Sequence, residues 1–207
     1  MSAPALRIGL DFDNTIIRYD EVFVQAAVER HLLPAGFQGN KQTVRDAIRL
    51  RPRGELDWQR LQGHVYGKAI GGATAFDGLD SFLRRAREAR ASVLVISHKT
   101  EFGHYDPDRV NLRTAAITWM EARGFFSADG FALARADIHF ATTRAEKLER
   151  IRALRCDVFV DDLEEVLTDS DFPEGITRIL LSEHAQPTGL PYRVCRSWDA
   201  VEQVVFG

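Results

Sequence analysis

The stretch "LRIGLDFDNTIIRY", residues 6–19, decides the fold, because two carboxylates, Asp11 and Asp13, end an otherwise apolar run. An apolar run of this length followed by polar residues predicts a buried strand that ends at the edge of a sheet. Two like charges so close together destabilise each other unless other groups neutralise them. A simple strand-ending turn explains the pair equally well when this stretch is taken alone. The interpretation therefore depends on what the rest of the chain brings to the same edge.

The composition is that of an ordinary globular protein. The 207 residues are 45% hydrophobic and 28% charged, enough for one domain with a full core and an insert. The net charge of −3 argues against a nucleic-acid partner. The absence of a long apolar run or a signal-peptide pattern argues against a membrane partner. Cys156 and Cys195 are expected to be buried thiols, and we expect a cytoplasmic protein.

Short apolar runs alternate with helical patterns, which predicts an α/β fold with a doubly wound, mostly parallel sheet. Their near-continuous Val, Ile and Leu content is typical of strands buried on both faces. The predicted strands are 5–11, 92–97, 137–142, 157–161, 177–182 and, more weakly, 192–198. A helix over the segment "NLRTAAITWMEARG" is expected to end at Gly124 in a left-handed cap.

One connection is longer than a crossover requires. About eighty residues separate the first two strands, whereas a parallel crossover needs only one helix. The segment 18–72 shows two to four helical patterns separated by Gly- and Pro-containing breaks. We therefore predict a helical insert at 18–72 and a catalytic core made of 1–17 and 73–207.

The ends of the later strands carry polar residues that complement the two acids. Ligands of open parallel sheets bind beyond the carboxyl ends of the strands. Thr143 and Glu146 form a capping-box pattern that places Lys147 at a helix start. The polar residues at or just after the strand ends are therefore a hydroxyl, a lysine at the start of the following helix, and two acids: Ser97, Lys147, Asp161 and Asp162.

These residue types together predict phosphoryl chemistry. Converging carboxylates repel each other unless a cation is present, and hard oxygen ligands favour Mg²⁺. Ser97 can donate a hydrogen bond to a phosphoryl oxygen, and Lys147 adds positive charge where the helix dipole also favours an anion. One carboxylate can attack phosphorus while its neighbour acts as general acid and base.

The same residues resemble the four motifs of the haloacid dehalogenase (HAD) superfamily of phosphohydrolases. The stretch "DFDNT", residues 11–15, resembles its first motif, Ser97 its second, Lys147 its third and "VFVDD", residues 158–162, its fourth. The motifs occur in the family's order, and 18–72 lies where that family inserts a C1-type helical cap. The resemblance implies a HAD-like Rossmannoid core with such a cap domain.

The resemblance also implies roles in a phosphatase. Asp11 would be the nucleophile that forms an aspartyl-phosphate and would also bind the metal. Asp13 would protonate the leaving oxygen and then activate water, while its backbone carbonyl helps to hold Mg²⁺. Thr15 would brace the loop, and Ser97 and Lys147 would bind the phosphoryl group. The second aspartate, Asp13, points to a phosphatase, because haloacid dehalogenases proper lack it.

The metal's third protein ligand is expected to be Asp161 or Asp162. We favour Asp162, because the second position is the ligand in the family's Gly-Asp variant. Position 14 is Asn where many family members have Gly, so the subfamily is left open. Glu164 or Glu165 is expected to replace the family's usual additional acidic residue.

The loop 98–113 and several arginines of the insert stay ambiguous. His98 is a candidate substrate-binding residue and Lys99 another, although a solvated loop explains this segment as well. Arg45, Arg49 and Arg53 could grip a second anionic group of the substrate, or simply form a solvated face.

The sequence thus predicts a Mg²⁺-dependent phosphoric monoester hydrolase acting on a small phosphorylated metabolite. Two alternatives stay open: a phosphotransferase or phosphomutase of the same fold, and a non-catalytic phosphate-binding regulatory module. The intact Asp13 argues against the second alternative. Neither the substrate nor the oligomeric state follows from the sequence.

Overall fold

The computed structural model describes residues 5–184 and 189–207, which group into two compact units. The first unit is drawn from Met1–Ile17, Ala75–Lys99 and Gly124–Gly207. The second unit is drawn from Arg18–Thr74 and Thr100–Arg123.

The described residues form strands, α-helices and two short 3-10 helices. The strands are β1 (Arg7–Leu10), β2 (Ile17–Arg18), β3 (Thr74–Ala75), β4 (Ser92–His98), β5 (Ile138–Ala141), β6 (Val158–Asp161), β7 (Thr177–Leu181) and β8 (Arg193–Cys195). The helices are α1 (Asp20–Glu29), α2 (Lys41–Arg49), α3 (Gly54–Tyr66), α4 (Leu79–Glu88), α5 (Leu112–Ala122), α6 (Arg144–Ala153), α7 (Glu164–Leu167) and α8 (Trp198–Phe206). Two short 3-10 helices occupy Ile70–Gly72 and Arg135–Asp137.

The first unit is built on a six-stranded sheet with the order β5-β4-β1-β6-β7-β8. Each of its neighbouring strand pairs is parallel. All six predicted strands are present, with ends that differ from the predicted ones by at most three residues. The predicted α/β fold class is therefore confirmed.

The strands of the sheet are mostly apolar because the sheet is covered by helices. In β1, the side chains of Ile8 and Leu10 are completely buried. Residues of β4, β6 and β7 pack with α6 and α7 in one hydrophobic cluster that includes Leu94, Ile96 and Phe159. Apolar side chains thus fill both faces of the sheet, and polar side chains lie at the carboxyl ends of β1, β4 and β6.

The second unit is helical, and aromatic rings form its centre. The ring of Phe23 stacks on Trp58 with centroids 5.1 Å apart, and Tyr19 meets Tyr66 edge-on at 4.8 Å. Helix α2 begins with a capping box in which Asn40 accepts from the Thr43 backbone N–H at 2.9 Å. Its apolar face is Val44 and Ile48, both fully buried, so α2 is a typical amphipathic helix.

Helix α5 groups with the second unit, whereas the sequence analysis includes its residues in the core segment 73–207. The predicted left-handed cap of this helix is present, since Gly124 has φ 75°. Trp119 of α5 donates its indole N–H to the carbonyl of Ala73 at 3.0 Å. The assignment of 18–72 as a cap and of the remainder as core stays a prediction.

The loop that leads into α5 packs closely on α3 through two glycines. A Cβ atom on Gly103 would lie 2.6 Å from the Cα atom of Gly63, and one on Gly63 would lie 2.8 Å from the Cβ atom of Asp106. Distances this short are not tolerated between real atoms. Glycine is therefore required at both positions for the loop to lie against the helix.

Among the residues that the model describes, no helix is both long enough and apolar enough to span a bilayer.

Candidate active site

The site lies at the carboxyl edge of the six-stranded sheet, where β1, β4 and β6 are adjacent. Leu10, the last residue of β1, pairs with Val95 of β4 and with Val160 of β6; β6 ends one residue beyond this level and β4 three residues beyond it. The sheet ladder continues one residue further, since the Asp11 backbone N–H donates to the Val160 carbonyl at 2.9 Å. This pairing fixes the backbone of Asp11 at the sheet edge.

Lys147 is the centre of the site. Its Nζ atom lies 2.6 Å from Oδ1 of Asp11 and 2.6 Å from Oδ2 of Asp161. Only 1% of the Lys147 side chain is exposed, and its ammonium group lies 5.5 Å from the centre of the Phe159 ring. The structure thus brings together three residues that the sequence analysis selected at three different strand or helix ends.

The start of α6 explains how Lys147 reaches this position. Thr143 caps the helix by accepting from the backbone N–H of Glu146 at 3.1 Å, as the capping-box pattern predicts. In a usual capping box the Glu146 carboxylate would accept from the backbone N–H of the cap residue, Thr143. Here it accepts from the backbone N–H of the preceding residue, Thr142, at 2.7 Å. These two bonds fix the first turn from which Lys147 projects.

The negative charge of the site exceeds its positive charge. The pKa of Asp11 is raised to about 7, chiefly because the group is buried; Lys147 acts to lower it, and the nearby carboxylates of Asp161 and Asp13 act to raise it. Burial acts to lower the pKa of Lys147, but the carboxylates of Asp11 and Asp161 outweigh burial and raise it. The lysine is therefore charged, and its single charge does not compensate for the two buried carboxylates that it contacts.

A set of three carboxylates has the geometry to hold a metal ion. Oxygen atoms of Asp11, Asp161 and Asp162 all lie within 4.8 Å of one another. A donor set of carboxylate oxygens with excess negative charge fits a hard divalent cation such as Mg²⁺. The residues present therefore fit the metal that the sequence analysis expects.

The two candidates for the third ligand differ in their partners. Both oxygens of Asp161 already accept hydrogen bonds, Oδ2 from Lys147 at 2.6 Å and Oδ1 from the Leu163 backbone N–H at 3.0 Å. Asp162 is less buried, and its Oδ2 accepts from the Asn14 side chain at 3.2 Å. Asn14 adopts a left-handed conformation with φ 57°, which asparagine tolerates better than most residues. Asn14 thus serves as a support for Asp162.

Ser97 presents a hydroxyl group that lacks a partner. Its residue is 1% exposed, and its Oγ atom makes no hydrogen bond within the part of the chain that the model describes. A buried hydroxyl without a partner is destabilising, which favours a ligand atom that accepts from it. This observation agrees with the prediction that Ser97 binds a phosphoryl oxygen.

Thr15 holds its loop through backbone atoms. The Trp198 indole N–H donates to the Thr15 carbonyl at 3.1 Å, and the Ile16 N–H donates to the Phe12 carbonyl at 3.0 Å. The Thr15 hydroxyl is buried and has no hydrogen-bond partner among residues 5–184 and 189–207. Its predicted bracing role stays a prediction.

His98 and the arginines of the insert have partners of their own. The Nε2 atom of His98 lies 2.8 Å from the carbonyl oxygen of Thr142. Arg45 pairs with Asp46 at 2.9 Å and Arg49 with Glu55 at 2.7 Å, both on the surface. Arg53 is the exposed residue before α3. Their roles in substrate binding stay predictions.

Lys99 is part of the site, although the sequence alone did not decide between a substrate-binding residue and a solvated loop residue. Its Nζ atom lies 3.0 Å from Oδ1 and 2.8 Å from Oδ2 of Asp13. One sequence signal points to Lys99 as a site residue. Side chains of an extended chain alternate between its two faces, so Ser97 and Lys99 share a face whereas His98 points away. The sequence analysis considers Lys99 only as a possible substrate contact in a loop.

Comparison with known proteins identifies the fold. No protein-family model matches the sequence, and no curated protein matches it. Among solved structures, a haloacid dehalogenase-like hydrolase from Streptococcus pneumoniae has a TM-score of 0.62 and 9% identity over 97% of this chain and 98% of its own. A putative HAD hydrolase from Bacillus subtilis, solved bound to magnesium, has a TM-score of 0.61 and 11% identity over 99% of this chain and 100% of its own. A predicted phosphatase from Clostridium acetobutylicum has a TM-score of 0.59 and 11% identity over 98% of this chain and 99% of its own.

These similarities extend over almost the whole chain at very low sequence identity. The chain therefore has the fold of HAD-superfamily hydrolases, as its motifs predict.

Proposed function

We propose that this protein is a Mg²⁺-dependent phosphatase that hydrolyses a small-molecule phosphomonoester through an aspartyl-phosphate on Asp11. The observation that carries the proposal is Lys147, buried at 2.6 Å from both Asp11 and Asp161 at the sheet edge where Asp11 ends β1. A buried lysine that joins two carboxylates at the ligand-binding edge of a parallel sheet supports an anion-handling catalytic site.

Phosphate binding is assigned to two groups. The Ser97 hydroxyl, which is buried and lacks a hydrogen-bond partner in the described part of the chain, donates to one phosphoryl oxygen. The ammonium group of Lys147 contributes positive charge at the start of α6, where the helix dipole also favours an anion. Because Lys147 binds Oδ1 of Asp11, we assign attack on phosphorus to Oδ2.

The reaction has two halves. In the first, Oδ2 of Asp11 forms a bond to phosphorus, the bond from phosphorus to the ester oxygen breaks, and Asp13 gives its proton to that leaving oxygen. In the second, Asp13 takes a proton from water, the water oxygen bonds to phosphorus, and the bond from phosphorus to Asp11 breaks. Inorganic phosphate leaves, and Asp11 and Asp13 return to their starting states.

The metal is assigned to Asp11, Asp162 and the backbone carbonyl of Asp13. When bound, Mg²⁺ supplies positive charge that offsets the charge of the phosphoryl oxygens and of the carboxylates around it. Asp161 is assigned to the support of Lys147, because both of its oxygens already accept hydrogen bonds. The magnesium found with the Bacillus subtilis relative in fold supports this choice of ion.

The substrate class proposed is a small phosphorylated metabolite of the cytoplasm. The net charge of −3 favours a small anion held by local groups over a nucleic acid, whose binding needs an extended basic surface. The similarity to a predicted phosphatase from Clostridium acetobutylicum agrees with a phosphomonoester.

Release of inorganic phosphate tests the proposal. The purified protein is incubated with p-nitrophenyl phosphate and with a panel of phosphorylated sugars, nucleotides and organic acids, with Mg²⁺ or with EDTA. We expect phosphate release that requires Mg²⁺ and is lost in Asp11→Asn. The matched control is Asp129→Asn, because Asp129 is an exposed aspartate at a turn. An absence of turnover on the whole panel by protein that binds Mg²⁺ would contradict the proposal, and transfer of phosphate to a hydroxyl acceptor in place of water would identify a phosphotransferase.

A further inference from the structure

Lys99 and Asp13 form an ion pair that the proposed roles of Asp11 and Lys147 do not explain. The Lys99 ammonium lies within hydrogen-bond distance of both Asp13 oxygens, at 3.0 Å and 2.8 Å. The pair joins the end of β4 to the end of β1, two adjacent strands of the first unit. Its position makes it part of the same edge as Ser97.

The surroundings of Lys99 fix its ammonium group. The Lys99 backbone N–H donates to the carbonyl of Ala141 at 2.9 Å, which holds the residue against β5. Its Nζ atom lies 5.4 Å from the centre of the Phe12 ring, which is fully buried. A cation placed over an aromatic face and beside a carboxylate has few alternative positions.

Exposure indicates that Lys99 acts through Asp13. The Lys99 side chain is only 2% exposed, whereas the Asp13 side chain is 20% exposed. Solvent therefore reaches the aspartate more than the lysine. The Asp13 carboxylate is thus more accessible to a ligand than the Lys99 ammonium.

Lys99 and Lys147 are arranged differently. Lys147 contacts one oxygen of Asp11 and one of Asp161, whereas Lys99 contacts both oxygens of the same carboxylate, that of Asp13. A lysine that holds one carboxylate by both oxygens restricts the rotation of that carboxylate. Orientation of a proton-transfer group is worth a large share of its catalytic effect.

We propose that Lys99 is a positioning residue that holds the Asp13 carboxylate at both oxygens while one of these oxygens exchanges a proton with the leaving group or with water. This inference rests on the proposed phosphatase function. In the first half-reaction, the proton moves from one oxygen of Asp13 to the ester oxygen as the phosphorus–oxygen bond breaks. In the second, that same oxygen receives a proton from water. Lys99 keeps its own protons throughout and touches neither the phosphoryl group nor the leaving group.

A series of substituted phenyl phosphates tests this role. The nitrophenolate leaving group departs without help from an acid, whereas the methylphenolate leaving group needs a proton. The value of kcat/KM reports the steps up to the first phosphoryl transfer. For Lys99→Met we expect a loss of about 3-fold with p-nitrophenyl phosphate and of about 100-fold with p-methylphenyl phosphate. The dependence of kcat/KM on leaving-group basicity should therefore be steeper in the variant than in the wild type.

Chemical rescue provides a second measurement within one folded protein. In Lys99→Ala, added ethylammonium ions can occupy the place of the missing ammonium group. We expect ethylammonium to restore kcat/KM for p-methylphenyl phosphate at least about 10-fold and to leave p-nitrophenyl phosphate nearly unchanged. Tetramethylammonium, which has no N–H donor, serves as the control ion. Lys68→Met is the matched control variant, because Lys68 is an exposed lysine paired with Asp108 at 3.3 Å.

The outcomes separate this inference from the proposed function. An equal loss across the phenyl phosphate series would show that Lys99 contacts the phosphoryl group, and wild-type kinetics in Lys99→Met would show that it has no role. Either result overturns the inference while the phosphatase proposal stands. Failure of the wild type to hydrolyse any phenyl phosphate and any other member of the phosphate-ester panel overturns both.

Discussion

The Nζ atom of Lys147 lies 2.6 Å from Oδ1 of Asp11, although the two residues are 136 positions apart in the sequence. Their side chains are 1% and 6% exposed, so the contact forms away from bulk water. A second carboxylate, that of Asp161, binds the same ammonium group at 2.6 Å. Lys147 is therefore at once a candidate catalytic group and the residue that permits two buried acids to lie close together.

Replacement of Lys147 by methionine should destabilise the metal-free protein. Met preserves much of the side-chain volume but leaves Asp11 and Asp161 buried without their cation. We expect a loss of about 3 kcal/mol in the free energy of unfolding, because breaking a buried pair from one side leaves uncompensated charge. Urea denaturation in EDTA measures this loss. The matched change Lys68→Met removes an exposed ion pair and should alter stability by less than about 1 kcal/mol.

The stability of the metal-free protein should depend on pH through Asp11. Its pKa is raised by burial from 3.8 to about 7 in the folded protein, so the folded state holds this proton where the unfolded state has released it. The folded state therefore binds more protons between about pH 4 and about pH 7, and the contribution of Asp11 to stability falls as the pH rises through this interval.

The difference in free energy of unfolding between the wild type and Asp11→Asn isolates this effect. Denaturation in EDTA at several pH values should show the wild type losing stability relative to Asp11→Asn as the pH rises, with a plateau above about pH 8. Mg²⁺ should stabilise the wild type more above about pH 7 than below it, because the ion binds the ionised carboxylate. A difference that stays constant over the whole interval would mean that Asp11 ionises at its ordinary pKa.

Asp13→Asn should allow the phosphoenzyme to accumulate. Asparagine can neither give a proton to the leaving oxygen nor take one from water, and the second deficiency slows breakdown of the aspartyl-phosphate by about 100-fold or more. With p-nitrophenyl phosphate, whose leaving group needs little proton transfer, formation of the intermediate continues. Mass spectrometry of acid-quenched protein should detect the added phosphoryl group in Asp13→Asn but not in Asp11→Asn. Detection of no phosphoenzyme in Asp13→Asn that still releases nitrophenolate would count against the assigned roles.

Gly63→Ala should destabilise the protein although it places alanine inside a helix. Alanine normally gains about 1 kcal/mol over glycine in a helix interior. Here its Cβ atom would lie 2.8 Å from the Cβ atom of Asp106, and such overpacking costs about 1–3 kcal/mol. We expect a lower urea midpoint for Gly63→Ala, whereas Arg60→Ala on the exposed side of α3 should change the midpoint little. A stabilised Gly63→Ala would show that the loop can move away from α3.

Both thiols should be unreactive in the folded protein. Burial raises the pKa of Cys156 to about 11 and also raises the pKa of Cys195. The thiolate fraction near pH 8 is therefore small, and the sulfur atoms are also shielded from reagents. Titration with a disulfide reagent should detect two thiols in guanidinium and almost none in the native state. Rapid native labelling of Cys195→Ser, which retains Cys156, would contradict this account.

Much of the fold could be predicted from the sequence, because its signals lie in short windows of the chain. The apolar run that ends at Asp11 reveals a buried strand, and the Thr143–Glu146 pattern reveals the start of α6 with Lys147 in it. Parallel strands then place their carboxyl ends at one edge whatever the details of packing. This rule is why Asp11, Lys147 and Asp161 could be grouped although no short-range signal connects them.

Only the tertiary structure decided which of these polar groups bind each other. Lys147 joins Asp11 to Asp161, Asn14 supports Asp162, and Lys99 holds Asp13. The sequence treats Lys99 as part of a polar loop, because a lysine after a strand is usually solvated. Its contact depends on the register between β1 and β4 and on the space beside the Phe12 ring, which packing sets and no local pattern records. The sequence by itself therefore determined the sheet and the edge at which its acids gather, whereas the three-dimensional packing decided the partner of each charge, because side-chain pairing depends on distances between residues that are far apart in the chain.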